Sequence, residues 1–308
     1  MAQNGNVFIS LNLSWDSKRR RVVSNNHPIP GQQPKYLEEF PLNGKKFDLN
    51  SNYKSNWNAD RELGDKDWSN LLDSLVSIGE ELKENDLKKV LNGLKIVCTR
   101  QPITSIGVSP YAIDDFGFKF LIDKFEDVIF IREVNTESWN KHYEDREEYE
   151  KKTAYWASRV KTIFTGDGKV KEYAAFSTTI RNDNEIEDRA NENAVKFFCV
   201  TKVNCRSQED QGEFLDINAQ AGELHNNSSR RSRDVREPVY RGLFNNEYFH
   251  AKAMKWWIQG SIIGMNNIIV GYRTNNGILY DAEKINLQEL ETDCNQWYQT
   301  WEGARFRQ

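Results

Sequence analysis

Two polar pairs interrupt otherwise apolar strands in the second half of this 308-residue chain. From Ala194 to Cys205 the odd positions Phe197, Cys199, Thr201, Val203 and Cys205 form one apolar face. The even face changes from Phe198 and Val200 to Lys202 and Asn204. From Glu213 to Ala219, Leu215 and Ile217 face one way, and Asp216 and Asn218 the other. Strand side chains alternate between faces, so each pair puts two polar groups side by side. Two such pairs on neighbouring strands are what the floor of a cleft would show, and ordinary solvent-facing positions are the plain alternative. Lys161 adds an ammonium one residue beyond Val160, on the apolar edge of its helix. Arg230, Arg231, Arg233 and Arg236 lie in a polar loop, where they would either touch phosphate or be solvated. Four histidines stand far apart without ligand spacing, and no P-loop, GxGxxG, HExxH or CxxC motif occurs.

These groups need elements to hold them. Strands are expected at Val7 to Leu13, Ile96 to Arg100, Asp127 to Val134, Lys171 to Ile180, Ala194 to Cys205 and Glu213 to Ala219. Ile268 to Tyr272 and Gly277 to Tyr280 flank Thr-Asn-Asn, a hairpin signal. Apolar residues from Leu71 to Leu82 recur at helical spacing, with Asp67 or Ser69 as cap. Further helices are expected at Glu144 to Phe164, Tyr248 to Met265 and Leu287 to Trp301, and polar loops at His27 to Gly31 and His225 to Arg241. Strands and helices mix without strict alternation, which favours an α+β fold with mixed or antiparallel sheets, and residues 1–308 read as a single domain.

Composition narrows the function classes. The 42 basic and 46 acidic residues leave a net charge of −4, so binding by bulk phosphate neutralisation is excluded. No apolar run approaches the roughly 20 residues of a membrane helix, so no membrane partner is expected. Charges follow the first short apolar strand, the reverse of a signal peptide. Cys199 and Cys205 on one strand would lie roughly 20 Å apart, too far for a disulfide. Four cysteines without a close pair read as buried free thiols in an intracellular protein of the nucleus, the cytoplasm or both.

One segment carries a resemblance. KAMKWWIQGSIIGMNNIIVGYRTNNGIL, from Lys252 to Leu279, joins an apolar helix with KWW-x-Q to a strand ending Gly-aromatic-Arg and a turn. This resembles the C-terminal signature of the Dom3Z/DXO family of decapping exoribonucleases. FDLNSNY, IVCTRQP, SPY and REVNT follow in the family's order, so the resemblance runs from about Phe47 to Trp301. It implies a two-sheet fold flanked by helices, with nucleic acid entering a cleft between the sheets. It also implies removal of incomplete or non-canonical 5′ caps and degradation of RNA from the 5′ end, with divalent cations offsetting the developing charge.

The family's site positions fall on altered residues. Its Gly-aromatic-x-apolar-Glu helix motif matches Ala157-Ser158-Arg159-Val160-Lys161, so Lys161 stands where a metal-binding Glu belongs. Its Glu-x-Asp strand matches Lys202 and Asn204, and its Glu-x-Lys strand matches Asp216 and Asn218. The first-motif arginine matches Arg100 and the helix glutamine Gln259. Asp216 is then the only retained carboxylate, and the site changes from −4 to +1. Each ammonium about 4 Å from a would-be dication costs several kcal/mol at an effective dielectric near 20. A single Asp does not hold two Mg²⁺ ions, which need several oxygen ligands.

The resemblance therefore points first to a catalytically degenerate homologue, with no competent catalytic residue, metal or cofactor. Arg100, Gln259, Lys161 and Lys202 would bind an RNA 5′ end or a nucleotide. Within that reading, Lys161 or Lys202 could instead pair with Asp216 as a structural replacement. A second reading is an interaction protein that binds a nuclear 5′ exoribonuclease, as some family members do. The third is an active decapping nuclease using Mg²⁺ or Mn²⁺ on rearranged ligands drawn from Glu133, Glu172, Glu213 or Glu223.

Overall fold

The computed structural model describes residues 11–16, 21–24, 36–38, 40–53, 65–109, 117–166, 172–180, 195–207, 213–222, 239–243 and 247–305. The loop His27 to Gly31, Glu223 and the arginines from 230 to 236 lie outside these residues.

Two mixed sheets organise the chain. The larger has seven strands: β1 (Leu11–Asp16), β2 (Arg21–Ser24), β4 (Ile96–Thr99), β5 (Lys119–Phe125), β6 (Val128–Val134), β7 (Glu172–Ile180) and β8 (Val195–Val203), in the order β2-β1-β7-β8-β4-β6-β5. The smaller has β3 (Phe47–Asp48), β9 (Cys205–Arg206), β10 (Phe214–Ala221), β11 (Asn267–Arg273) and β12 (Ile278–Asn286), in the order β3-β12-β11-β10-β9. Strand β4 runs parallel to both β6 and β8, and β10 runs parallel to β11. The helices are α1 (Asp65–Leu82), α2 (Leu87–Val90), α3 (Arg100–Val108), α4 (Glu137–Asp145), α5 (Glu148–Thr165), α6 (Val239–Leu243), α7 (Glu247–Ile262) and α8 (Leu287–Arg305).

The layers follow from the apolar faces. Leu71, Leu75 and Ile78 of α1 bury one face of the large sheet, through Val97, Val128, Phe198 and Val200. The opposite face, through Cys98, Phe176, Cys199 and Val203, packs on α7 and on Ile268, Val270 and Tyr272 of the small sheet. The small sheet's far face carries Leu215, Ile217 and Ile269 and is covered by Tyr155, Trp156, Val160 and Phe164 of α5. Each fully buried side chain of this size contributes about 1.5–3 kcal/mol, so these three clusters dominate stability. The period-two reading of Leu215 and Ile217 against Asp216 is thus realised, with the leucine and isoleucine against α5.

Several expectations are corrected. Residues 194–205 do not form one strand. The chain leaves the large sheet after Val203, passes Asn204, and enters the small sheet at Cys205. Lys202 therefore sits on the large sheet and Asp216 and Asn218 on the small one, because the chain crosses between the sheets at Asn204 of the first pair. The helix expected from Glu144 to Phe164 is two helices, α4 and α5. Glu147 and Glu150 form a reciprocal capping box, with the Glu147 N–H donating to Glu150 Oε2 at 3.0 Å, which starts a new helix there. Helix α1 begins at Asp65, so Asp67 and Ser69 lie inside it and do not cap it. Helix α7 ends at Ile262, short of Met265.

The β11–β12 hairpin is antiparallel as expected. Gly277 closes its turn at φ +79°, and a Cβ there would meet the Trp156 ring at 2.6 Å, so only glycine fits both the turn and the packing. All four cysteines are buried and free, as the sequence predicted. Among the described residues no helix is long and apolar enough to cross a membrane.

Candidate functional site

Strand β4 is short and flanked on both sides by parallel neighbours. Its carboxyl end passes directly into α3, so Arg100 is the first helical residue and stands at the end of β4, beside the last residues of β8. That edge of a parallel region is where open sheets gather ligands. From this position Arg100 Nη1 donates to Asp216 Oδ2 at 2.5 Å and, more weakly, to the Gln259 carbonyl at 3.5 Å. Asn204 Nδ2 donates to the other carboxylate oxygen, Asp216 Oδ1, at 2.6 Å. The Arg100 and Asp216 side chains are 14% and 8% exposed, so this is a largely desolvated ion pair that ties the two sheets together.

Beside the pair lies a cavity of about 160 Å³. Its lining includes Thr99, Arg100 and Gln101 at the β4–α3 junction, Lys161 of α5, and Gln259 of α7. Val200, Thr201, Lys202 and Asn204 complete it from the end of β8. Lys161 keeps solvent contact through the open side of this cavity. The protein packed around its ammonium still pushes its pKa below the ordinary lysine value, opposed by the Asp216 charge and reinforced by Arg100. The first N–H groups of α3 have no intrahelical acceptor, and the Thr99 side chain does not cap them. They add a partial positive charge at the same wall.

The sequence-predicted residues are thus mostly convergent. Arg100, Lys161, Lys202, Asn204 and Gln259 line one cavity. Asp216 sits behind it, bound to two of them. Asn218 shares the Asp216 face of β10 but is not among the lining residues. The expected alternative, a Lys161 or Lys202 pairing with Asp216, is replaced by the Arg100 pairing. Of the substitute acids, Glu133 accepts from Ser105 Oγ at 2.6 Å, with its pKa raised chiefly by burial. Glu213 accepts from the Asn266 N–H at 2.8 Å and from Asn267 Nδ2 at 3.3 Å, pinning the start of β11. The Glu172 side chain and Glu223 lie outside the described residues.

A hard divalent cation needs several oxygen ligands. Among the described residues at this cavity one carboxylate is available, both its oxygens are engaged, and the Lys161 ammonium lies close enough to interact with it. This donor set does not fit Mg²⁺ or Mn²⁺. Among the described residues no group of three or more His, Cys, Asp or Glu side chains could hold a metal. The set fits an anion instead.

The sequence matches the family described as RAI1-like PD-(D/E)XK nuclease over residues 13–208 and 241–306. The chain belongs to that family. The decapping nuclease dom-3 of Caenorhabditis elegans is 24% identical over 267 residues, covering 83% of this chain and 61% of the relative. The chain therefore spans less than two thirds of that relative's length. Among solved structures, Candida albicans Rai1 in complex with pU5 and Mn²⁺ aligns with TM-score 0.62 at 16% identity, over 94% of this chain and 79% of the other. K. lactis Dxo1 in complex with manganese aligns with TM-score 0.57 at 14% identity, over 94% and 70%. The family resemblance and the two-sheet fold expected from the sequence are both borne out.

Sequence reasoning missed the family-site neighbours Thr99, Gln101 and Thr201. A signal for the first two was present: Ile-Val-Cys-Thr followed by Arg-Gln-Pro reads as a strand feeding a helix with proline in its first turn, which places Thr99 and Gln101 beside Arg100. Thr201 belonged to the face read as buried, and it is buried while still touching the cavity edge.

Proposed function

We propose that this chain is a non-hydrolysing member of its nuclease family, which holds an RNA 5′ end or a nucleotide in the Arg100–Lys161–Lys202 cavity. The observation that carries the reading is the charge of that cavity. Arg100 and Asn204 engage both oxygens of Asp216, and Lys161 and Lys202 also line the open volume. Ammonium groups supply the attraction for phosphate that metals would otherwise supply, but they do not generate a metal hydroxide. Arg100 and Gln259 frame the same opening and orient what enters. The pU5 complex of Candida albicans Rai1 supports RNA as the ligand class on this fold. In this role the protein would protect or present 5′ ends.

A second reading, metal-dependent decapping, draws on the manganese in the Candida albicans Rai1 and K. lactis Dxo1 structures. Turnover of 5′-triphosphate, unmethylated-cap and NAD-capped RNA with Mg²⁺ or Mn²⁺ separates the two. The binding reading expects no turnover above an Asp216→Ala control. Clear turnover above that control would establish the enzyme instead.

A further inference from the structure

The large sheet ends in a strand that the other described residues leave open along one side. In the order β2-β1-β7-β8-β4-β6-β5, β5 pairs with β6 and stands at the edge. Its register with β6 runs from Lys119 to Phe125 without a bulge, and no proline interrupts it. Edge strands template pairing with another chain unless they are short, bulged, covered or blunted by charge. The small sheet's edges, β3 and β9, are two residues each and too short for that role. Strand β5 has seven residues. Its apolar side chains face solvent: Ile122 is 66% exposed and Phe125 60%, with Leu121 and the preceding Phe118 exposed beside them.

The β5–β6 hairpin fixes which backbone groups are free. Phe125 and Val128 pair across the turn Glu126-Asp127, with Glu126 at φ +53°. Residues flanking such a two-residue turn exchange hydrogen bonds within the hairpin, and bonded and non-bonded pairs then alternate along the strand. Phe125, Asp123, Leu121 and Lys119 are therefore the residues that bond to β6. Lys124, Ile122 and Phe120 turn their N–H and C=O groups to the open edge.

A second copy of the same strand meets these groups. An antiparallel pairing about a two-fold axis normal to the sheet sets outward-facing residues of one copy against those of the other. Centred on Leu121, it places Lys119 of each copy opposite Asp123 of the other, Phe120 opposite Ile122, and Leu121 opposite itself. Opposite charges and apolar side chains directly across a sheet stabilise it, and like charges do the reverse. Centring the pair on Lys119, Asp123 or Lys124 brings like charges face to face, and centring it on Phe120 or Ile122 opposes no unlike charges. Among registers centred on residues 119–124, only the Leu121 one satisfies the backbone and the charges together.

We propose that β5 is a self-recognition edge, through which two copies of this chain pair antiparallel about Leu121 and join their large sheets into one. Lys119 and Asp123 would blunt the edge against most strands, and in this one register they match, so the same charges make the edge selective. Seven residues a side lie at the small end of protein interfaces, so a weak, micromolar dimer is expected. The pairing is independent of what the cavity binds.

Sedimentation velocity of the full chain from about 1 to 200 μM provides the test, and a concentration-dependent shift from monomer to dimer is expected. Lys119→Asp or Asp123→Lys alone sets like charges opposite at two symmetric places and should weaken the dimer about tenfold. Both residues are exposed, so the fold should tolerate either change. The double exchange, Lys119→Asp with Asp123→Lys, restores both pairs and should restore the affinity. Ile122→Pro removes an N–H that β6 does not use and should abolish dimerisation with an unchanged circular dichroism spectrum. Leu121→Cys should form a linked dimer with diamide, which takes up the two electrons and two protons of the thiol pair. Ile122→Cys should not, because the two copies of residue 122 lie out of register. A chain that stays monomeric at every concentration overturns the proposal and leaves the edge to solvent or to a strand of another protein. A dimer that survives Ile122→Pro with unchanged affinity overturns it as well. Single reversals without effect, or a double exchange that fails to rescue, overturn the pairing about Leu121.

Discussion

Asp216 and Asp293 are each held by an arginine, but their surroundings differ. Asp293 accepts from the Tyr240 hydroxyl at 2.8 Å and Arg241 Nε at 3.0 Å, near Glu283, which accepts from the Tyr272 hydroxyl at 2.9 Å. One carboxylate meets one guanidinium and a phenol, and the arrangement closes on itself between α6, β12 and α8. Asp216 is equally well held, by Arg100 and Asn204, yet it also feels the Lys161 ammonium and borders an open volume. The first cluster completes a fold. The second lines an open cavity, which is the arrangement the proposed binding role uses.

The strongest way to break this comparison is Asp216→Asn. It leaves Arg100 charged, desolvated and next to Lys161, and should cost about 3–5 kcal/mol in chemical denaturation. Replacing Arg100 and Asp216 together by leucine-sized apolar residues should return most of that loss. If the double replacement is as unstable as Asp216→Asn, the desolvation account is wrong. In the closed cluster, Tyr272→Phe removes one bond to a half-buried carboxylate that retains another from the Tyr240 N–H at 3.4 Å. A loss of about 1–2 kcal/mol is expected from the same measurement.

Lys161→Met should move the other way and raise the melting temperature. A lysine whose folded pKa lies below its unfolded value opposes folding while both states are charged, and that penalty fades as pH rises through the folded pKa. The gain should therefore be larger at neutral than at alkaline pH, and an equal gain at both would show that lost charge is not its cause.

Lys252 sharpens the contrast. Its ammonium donates to the Ala219 carbonyl at 3.0 Å and to Gln220 Oε1 at 2.9 Å, neutral acceptors that do not offset the charge. Burial, then Arg273 and Lys255, push its pKa down to about 8. By the same sign, its penalty is complete below about 8 and disappears by the ordinary value of 10.5. Wild-type stability should gain a rising component across that window, and Lys252→Met should lack it. The smallest effect is expected at the exposed Lys88–Asp127 pair, where Lys88→Ala should leave the denaturation midpoint unchanged within error.

Legibility in the sequence followed locality. The alternation that separates Leu215 and Ile217 from Asp216 was readable because it depends on neighbouring residues alone. So were the hairpin at Gly277 and most strand cores. The helix break at Glu147 was written as Glu-x-x-Glu but hidden by the continuous run of helix-forming residues around it. Arg100 and Asp216 are 116 residues apart, and no local pattern could pair them. The family resemblance brought their positions together, but it did not say that arginine would take the carboxylate in place of a lysine. Asn218 shows the opposite limit: strand period gave its face, but a face does not fix whether a residue reaches the cavity.

The crossing at Asn204 has a mechanical consequence. Lys202 is carried by one sheet, Asp216 by the other, and Asn204, outside either strand, joins β8 to β9 where the chain changes sheet. The cavity is in effect a caliper whose jaws are the two sheets. A twist of one sheet against the other would shift Lys202 relative to Asp216, and the Arg100–Asp216 contact across the sheets would resist it.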